Sequence, residues 1–245
     1  MEEIKIKGIV IKATDYKDSD KIVTIFSAEK GLIRARIRGV KKKGAKLVFA
    51  VQPFAFVEFL LNAKDGFYTI INATSIDQFY DITNNFDDYI FMLSCLEVVE
   101  KTVKENENQV DLFLLLLNSL KLVCYERVAS INVFIKFMFE AMRFLGFSFN
   151  FDHCAKCGGS LDNSDVGFSY DYNGLICSKC LKKEQYLELT RGELAVIKNI
   201  NQTAIEKLGN LKFNSRDDLV SVVSLVVKVF RINTDFEINS IKMFI

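Results

Sequence analysis

Apolar and polar positions alternate through the first eighty residues. IKIKGIVIKA (4–13), KIVTIFS (21–27), GLIRARIRGV (31–40), FAFVEFLL (54–61) and GFYTIINATSI (66–76) are short and rich in β-branched or aromatic residues. A period of two with that composition predicts half-buried strands. Turn-forming clusters separate them: Asp15 to Asp20, Glu29-Lys30-Gly31, a lysine loop at 41–46, and Asn62 to Gly66. Asp65-Gly66 between two apolar runs predicts a hairpin. Five strands of this length suit a small closed barrel, and the OB-fold is the five-stranded version that binds oligonucleotides. Other small barrels and a sandwich fit the same pattern.

From about residue 84 the period becomes helical. NFDDYIFMLSCLEVVEKTVK starts with acids and ends with lysines, as the helix dipole favours. QVDLFLLLLNSLKLVCYE is apolar nearly all round and predicts a central helix. In SINVFIKFMFEAMRFLG, Ile131, Phe134, Ile135, Met138, Phe139, Met142 and Leu145 keep helical spacing, with Ser130 as cap and Gly146 as stop. Cys95 and Cys124 fall inside these helices and read as buried structural thiols. After a cysteine-rich insert, LTRGELAVIKNI opens with the Thr190 and Glu193 spacing of a capping box, and SRDDLVSVVSLVVKVFRI repeats the arrangement from Ser215. The organisation read from these patterns is α+β and multidomain. A barrel over 1–80 precedes the first part of a helical domain (81–150), a cysteine insert (151–183) and the second part of the helical domain (184–245).

Composition adds three constraints. Half the 245 residues are apolar and 12% aromatic, so the chain can build a core. The start MEEIKIKG lacks a signal-peptide apolar region, and the longest apolar run, LFLLLL, is far short of a membrane span, which predicts a soluble cytoplasmic protein. The net charge of +1 conceals an uneven distribution. Residues 1–80 hold 14 basic and 9 acidic residues, net +5, whereas residues 81–153 hold 6 and 11, net −5. The densest part is Arg34 to Lys46, with seven cations in thirteen residues and no acid. On a strand, Arg34, Arg36 and Arg38 project from one side. Lys41, Lys42, Lys43 and Lys46 follow in a loop marked by Gly39 and Gly44. A cationic strand face beside a cationic loop points to a polyanion, and a solvated strand edge is the plainer alternative.

The cysteines carry the most specific signal. Cys154, Cys157, Cys177 and Cys180 are spaced Cys-x₂-Cys-x₁₉-Cys-x₂-Cys, the pattern of a structural tetrahedral zinc site with no position left for a catalytic water. Gly158-Gly159 permits the tight turn after the first pair, and the residues around Asn173-Gly174 predict two short strands, as in a zinc ribbon. His153 is the only histidine and has no triad partners nearby. Gly39 to Gly44 has the glycine spacing of a phosphate loop but continues Ala45-Lys46 instead of Lys-Ser/Thr. Lys64-Asp65-Gly66 lacks the intervening residue of a nucleotidyltransferase lysine motif. No catalytic constellation is readable, so a non-enzyme is expected.

Three stretches carry a resemblance along the whole chain: GIVIKATDYKDSDKIVTIFSAEKGLIRARIRGVKKK, VQPFAFVEF, and the helix-to-knuckle junction RFLGFSFNFDHCAKCGG. With the order barrel, helices, Cys₄ insert, helices, the sequence resembles the RecO family of bacterial recombination mediator proteins. The turn from Tyr16 to Asp20 and the hairpin from Phe26 to Gly31 follow the family pattern, while Lys17-Asp18 replaces the acidic residue common after the tyrosine. The resemblance implies an OB-fold, one structural zinc, and a mediator role in the RecFOR pathway. It implies binding and annealing of single- and double-stranded DNA. It also implies engagement of RecR and single-stranded DNA-binding protein, and help in loading RecA. A nucleoid-associated location follows from the same resemblance. On the residues, phosphate contacts would come from Arg34, Arg36, Arg38, Lys41, Lys42, Lys43 and Lys46. Phe54, Phe56, Phe67 and Tyr68 are candidate stacking surfaces that a barrel of this size is expected to bury. The other readings of the same layout are an RNA-binding ribosome or translation factor and a zinc-stabilised ligase fragment.

Overall fold

The computed structural model describes residues 2–64, 66–147, 149–161, 166–182 and 185–244. They form two compact units, residues 1–124 and 125–245.

In the first unit, β1 (Glu2–Tyr16), β2 (Asp20–Ser27), β3 (Gly31–Ile37), β4 (Phe56–Lys64) and β5 (Phe67–Asp77) close into a barrel of order β1-β2-β3-β5-β4. Neighbours are antiparallel except β3 and β5, which run parallel from Ala35↔Tyr68 to Ile37↔Ile70. The alternation does what the pattern requires. Ile33, Ala35 and Ile37 from β3 meet Val23, Ile25, Val57, Phe59 and Leu61 inside, and the alternate positions face away from the barrel interior. Asp65, in the expected hairpin turn between β4 and β5, lies outside the described residues.

α1 (Phe86–Thr102) and α2 (Val110–Cys124) belong to the same unit. Asn85 caps α1 by accepting the Asp88 N–H. Phe113 of α2 meets Phe26 and Phe56 of the barrel edge-on at 5.5 and 5.9 Å, and Tyr89 of α1 meets Phe54 at 5.8 Å. Gly31 stands where the chain after α1 crosses the β2–β3 turn. Its φ is +61°, and a Cβ there would come within 2.2 Å of the Lys104 carbonyl oxygen, so only glycine fits.

In the second unit, α3 (Ser130–Phe144), α5 (Arg191–Gln202) and α6 (Arg216–Thr234) pack together. Ser130 is the first helical residue of α3 rather than its cap; Ala129 holds that position with no side-chain bond. The stop at Gly146 is present, with φ +87°. The capping box at Thr190 and Glu193 is complete, and Ser215 accepts the Asp218 N–H at the start of α6. Between α3 and α5 the chain makes β6 (Val166–Ser169), β7 (Gly174–Cys177), α4 (Ser178–Leu181) and β8 (Leu187–Glu188), with sheet order β7-β6-β8. No described helix is long and apolar enough to cross a membrane.

Candidate nucleic-acid interface and metal centre

The seven expected cations do not share one state. Arg34 and Arg36 lie on the outward side of β3, while Arg38 comes one residue past its end, in a bend. Arg36 is tied down: its Nε and Nη2 donate to Asp20 Oδ2 at 2.8 and 2.5 Å, and its guanidinium lies 5.2 Å from the Tyr16 ring centre. Lys41 donates to Asp15 at 2.7 Å, and Lys21 reaches the same carboxylate at 3.3 Å. Those two lysines hold the Asp15 carboxyl below its ordinary value, Lys41 contributing most. Arg34, Arg38, Lys42, Lys43 and Lys46 are exposed and have no ion-pair partner among the described residues. Five unpaired cations on one strand and the loop after it make a surface suited to phosphate oxygens, with no base-reading geometry required.

The loop is fastened from outside. Asp20, only 6% exposed at the head of β2, accepts the Gly39 N–H at 2.8 Å through Oδ1, and the Ser19 carbonyl accepts the Lys41 N–H at 3.0 Å. The Gly39 N–H, followed by Arg36, pulls the Asp20 carboxyl down to about 2 against the opposing effect of burial. Sequence reasoning missed both carboxylates. The signal was there: in Asp15-Tyr-Lys-Asp-Ser-Asp20, acids gather in the turn that the β2–β3 register sets beside Arg36.

The candidate stacking aromatics divide. Phe54 is buried, and Phe56 and Tyr68 are half-buried. Phe67, expected inside the barrel, is 78% exposed at the start of β5 instead. Its neighbour Tyr68 pairs with Ala35, so Phe67 emerges beside the arginine-bearing strand.

The four cysteines converge. The Sγ atoms of Cys154, Cys157, Cys177 and Cys180 all lie within 4.8 Å of one another, and those of Cys157 and Cys177 are 3.8 Å apart. A tetrahedron with metal–sulfur bonds of about 2.3 Å has edges of about 3.8 Å, so the set fits a metal ion held by four thiolates. Local structure explains the convergence. After Cys154 the chain turns back through Gly158 (φ +71°), with Gly158 N–H bonded to Cys154 O and Cys154 N–H to Gly159 O, both 2.8 Å. β6 and β7 pair around a turn with Asn173 in the left-handed region, and β7 delivers Cys177 to the start of α4, which carries Cys180. Burial raises the Cys154 thiol, but the N–H groups of Cys177, Cys157 and Lys156 outweigh it and bring it to about 6. Burial and the crowding of its three sulfur neighbours push Cys180 up to about 12. His153 is exposed and outside this cluster.

The ribbon is joined firmly to the helices of its unit. Phe149 and Phe151 stack on each other at 5.2 Å, and both pack on Phe139 of α3 at 5.3 and 5.0 Å. Asn173 and Asn233 of α6 exchange two amide hydrogen bonds of 2.9 and 3.0 Å, and Lys228 lies 4.3 Å from the Tyr170 ring centre.

A five-stranded barrel with a cationic loop, continued by helices that carry a four-cysteine ribbon able to hold a metal ion, fits the class of nucleic-acid-handling proteins. Comparison with known proteins narrows the class. The family described as "Recombination protein O N terminal" matches residues 1–79, and "Recombination protein O C terminal" matches residues 83–219. The chain belongs to the RecO family, a family of DNA repair and recombination proteins. A DNA repair protein RecO from Caldicellulosiruptor saccharolyticus is 30% identical over 232 residues, covering 94% of this chain and 93% of its own. That of Acetivibrio thermocellus is 30% identical over 212 residues, covering 86% and 83%. The match sets the chain among DNA repair proteins rather than the ribosomal or ligase readings.

Proposed function

We propose that this protein is a non-enzymatic mediator of recombinational repair. It binds single- and double-stranded DNA through the barrel's cationic loop and anneals complementary strands. With RecR and single-stranded DNA-binding protein it helps RecA onto coated DNA in the RecFOR pathway, in the cytoplasm at the nucleoid. The observation that carries the reading is the set of five unpaired cations, Arg34, Arg38, Lys42, Lys43 and Lys46, on a barrel of this family. Phosphate contacts of this kind are sequence-neutral and salt-sensitive, which suits a protein that must act on any broken DNA. The domain layout proposed is a DNA-binding barrel over 1–80 and a helical domain over 81–150 and 184–245, whose first two helices, α1 and α2, fall in the barrel's compact unit. Between its two parts, a zinc ribbon over 151–183 has Cys154, Cys157, Cys177 and Cys180 as ligands. Zinc is the metal that four thiolates in a closed tetrahedron favour, and its role there is structural.

The test is a salt titration of single-stranded DNA binding. If all five free cations meet phosphates, log affinity falls against log salt with a slope of about −3.5. Neutralising Lys42, Lys43 and Lys46 together flattens that slope by about 2 and weakens every DNA sequence alike. Wild-type affinity and slope in the triple variant would move the DNA site elsewhere.

A further inference from the structure

The acid beside the cationic surface has a purpose that its charge alone does not suggest. An anion on a DNA-binding face opposes binding, yet Asp20 sits under the loop with four donors aimed at it. Gly39 N–H (2.8 Å) and the Ser19 hydroxyl (3.1 Å) meet Oδ1, and two Arg36 N–H groups meet Oδ2. We propose that Asp20 is the positioning residue of the cationic loop: it fixes Gly39 and so sets the course of the chain that presents Arg38, Lys42, Lys43 and Lys46, while it withholds Arg36 from DNA. The inference rests on the DNA-binding reading of this loop.

The geometry supports both halves. Gly39 has φ +65°, and the loop's own turns start from it: Lys42 N–H bonds to Gly39 O and Ala45 N–H to Lys42 O, both 3.1 Å. The loop is tied to the β1–β2 hairpin by bonds from Gly39 to Asp20, from the Lys41 backbone to Ser19 and from the Lys41 side chain to Asp15. Arg36, spent on Asp20 and lying against Tyr16, has its guanidinium held down on the barrel. A loop fixed in advance does not have to be ordered when DNA arrives, and that saving appears as affinity.

Two variants with identical charge separate position from charge. Asp20→Asn and Asp20→Ala both remove one anion and release Arg36, but only the asparagine oxygen can still accept the Gly39 N–H. Single-stranded oligonucleotide binding, measured by anisotropy with folding checked by thermal melting, should be about tenfold weaker for Asp20→Ala than for Asp20→Asn. Equal affinities would mean that Asp20 acts only as a charge, and would overturn the proposal. Arg36→Gln should leave the salt slope unchanged; a slope flatter by about 0.7 would make Arg36 a phosphate contact and overturn the second half. Hydrogen exchange on the wild-type chain serves if Asp20→Ala does not fold. The Gly39 amide should be protected while those of Lys43 and Gly44 exchange freely, and an unprotected Gly39 amide overturns the anchor. These outcomes are distinct from failure of the DNA reading, which the triple lysine variant detects by itself.

Discussion

Asp20 and Lys136 show what single side chains contribute and how little of it their identity announces. Asp20 titrates at about 2 rather than at the ordinary 3.8, because the Gly39 N–H and then Arg36 favour its charged form. As pH falls, the unfolded chain therefore takes up the proton first. The contribution to stability is complete above about pH 4 and is lost as pH drops through about 2. Melting temperatures of wild type and Asp20→Asn should differ at neutral pH and converge toward that acid end. Lys136 is 5% exposed inside α3, donating to the Asn201 carbonyl at the end of α5 (2.9 Å) and pairing with Glu140 (2.9 Å). Lys136→Ala leaves that carbonyl without its donor, and urea unfolding should show a loss of about 1–3 kcal/mol. The sequence pattern ranked Arg34, Arg36 and Arg38 as equals, since alternation assigns a face but not a partner. What distinguishes Arg36 is a carboxylate sixteen residues earlier, brought near only by the pairing of β2 with β3. Phe67 escaped for the converse reason: composition says that a barrel needs aromatics, not which of them it leaves outside.

At the scale of elements, alternation located all five barrel strands and cysteine spacing located the ribbon, because each signal is local. Which helices pack on which sheet was not legible. A helix apolar nearly all round, as α2 is, must be covered; part of its cover, Phe26 and Phe56, lies more than fifty residues away in sequence. Phe113→Ala should accordingly cost about 3–5 kcal/mol and show itself in the melting of the first unit. The junction RFLGFSFNF, distinctive as a string, becomes intelligible as a clasp. Phe149 and Phe151, two apart on an extended chain, fall on one side and close over Phe139. The Asn173–Asn233 amide pair fastens the far end of the ribbon. Asn233→Ala leaves the half-buried Asn173 amide unpaired. The second unit should lose about 1–2 kcal/mol, and limited proteolysis should cut the ribbon sooner.

For the whole molecule, the proposed metal divides the consequences unequally between the two units. Elemental analysis of freshly purified, reduced protein should find one zinc per chain, and metal-free protein would end the zinc proposal. A strong chelator should melt the second unit and leave the barrel with α1 and α2 folded, so that calorimetry of chelated protein keeps the first unit's transition and loses the second unit's. The route of the chain makes the ribbon matter beyond its own fold. α3 ends at Phe144 and α5 begins at Arg191, so the helices that pack together are separated by residues 145–190. Bringing such distant segments together is slow, because the entropy of closing the intervening chain is lost before any contact compensates it. Four thiolates on one ion shorten that path to its two ends. If the proposed zinc binds there, its supply would govern how quickly a newly made chain becomes a repair protein, and a metal-starved chain would wait with the apolar faces of α3 and α6 uncovered.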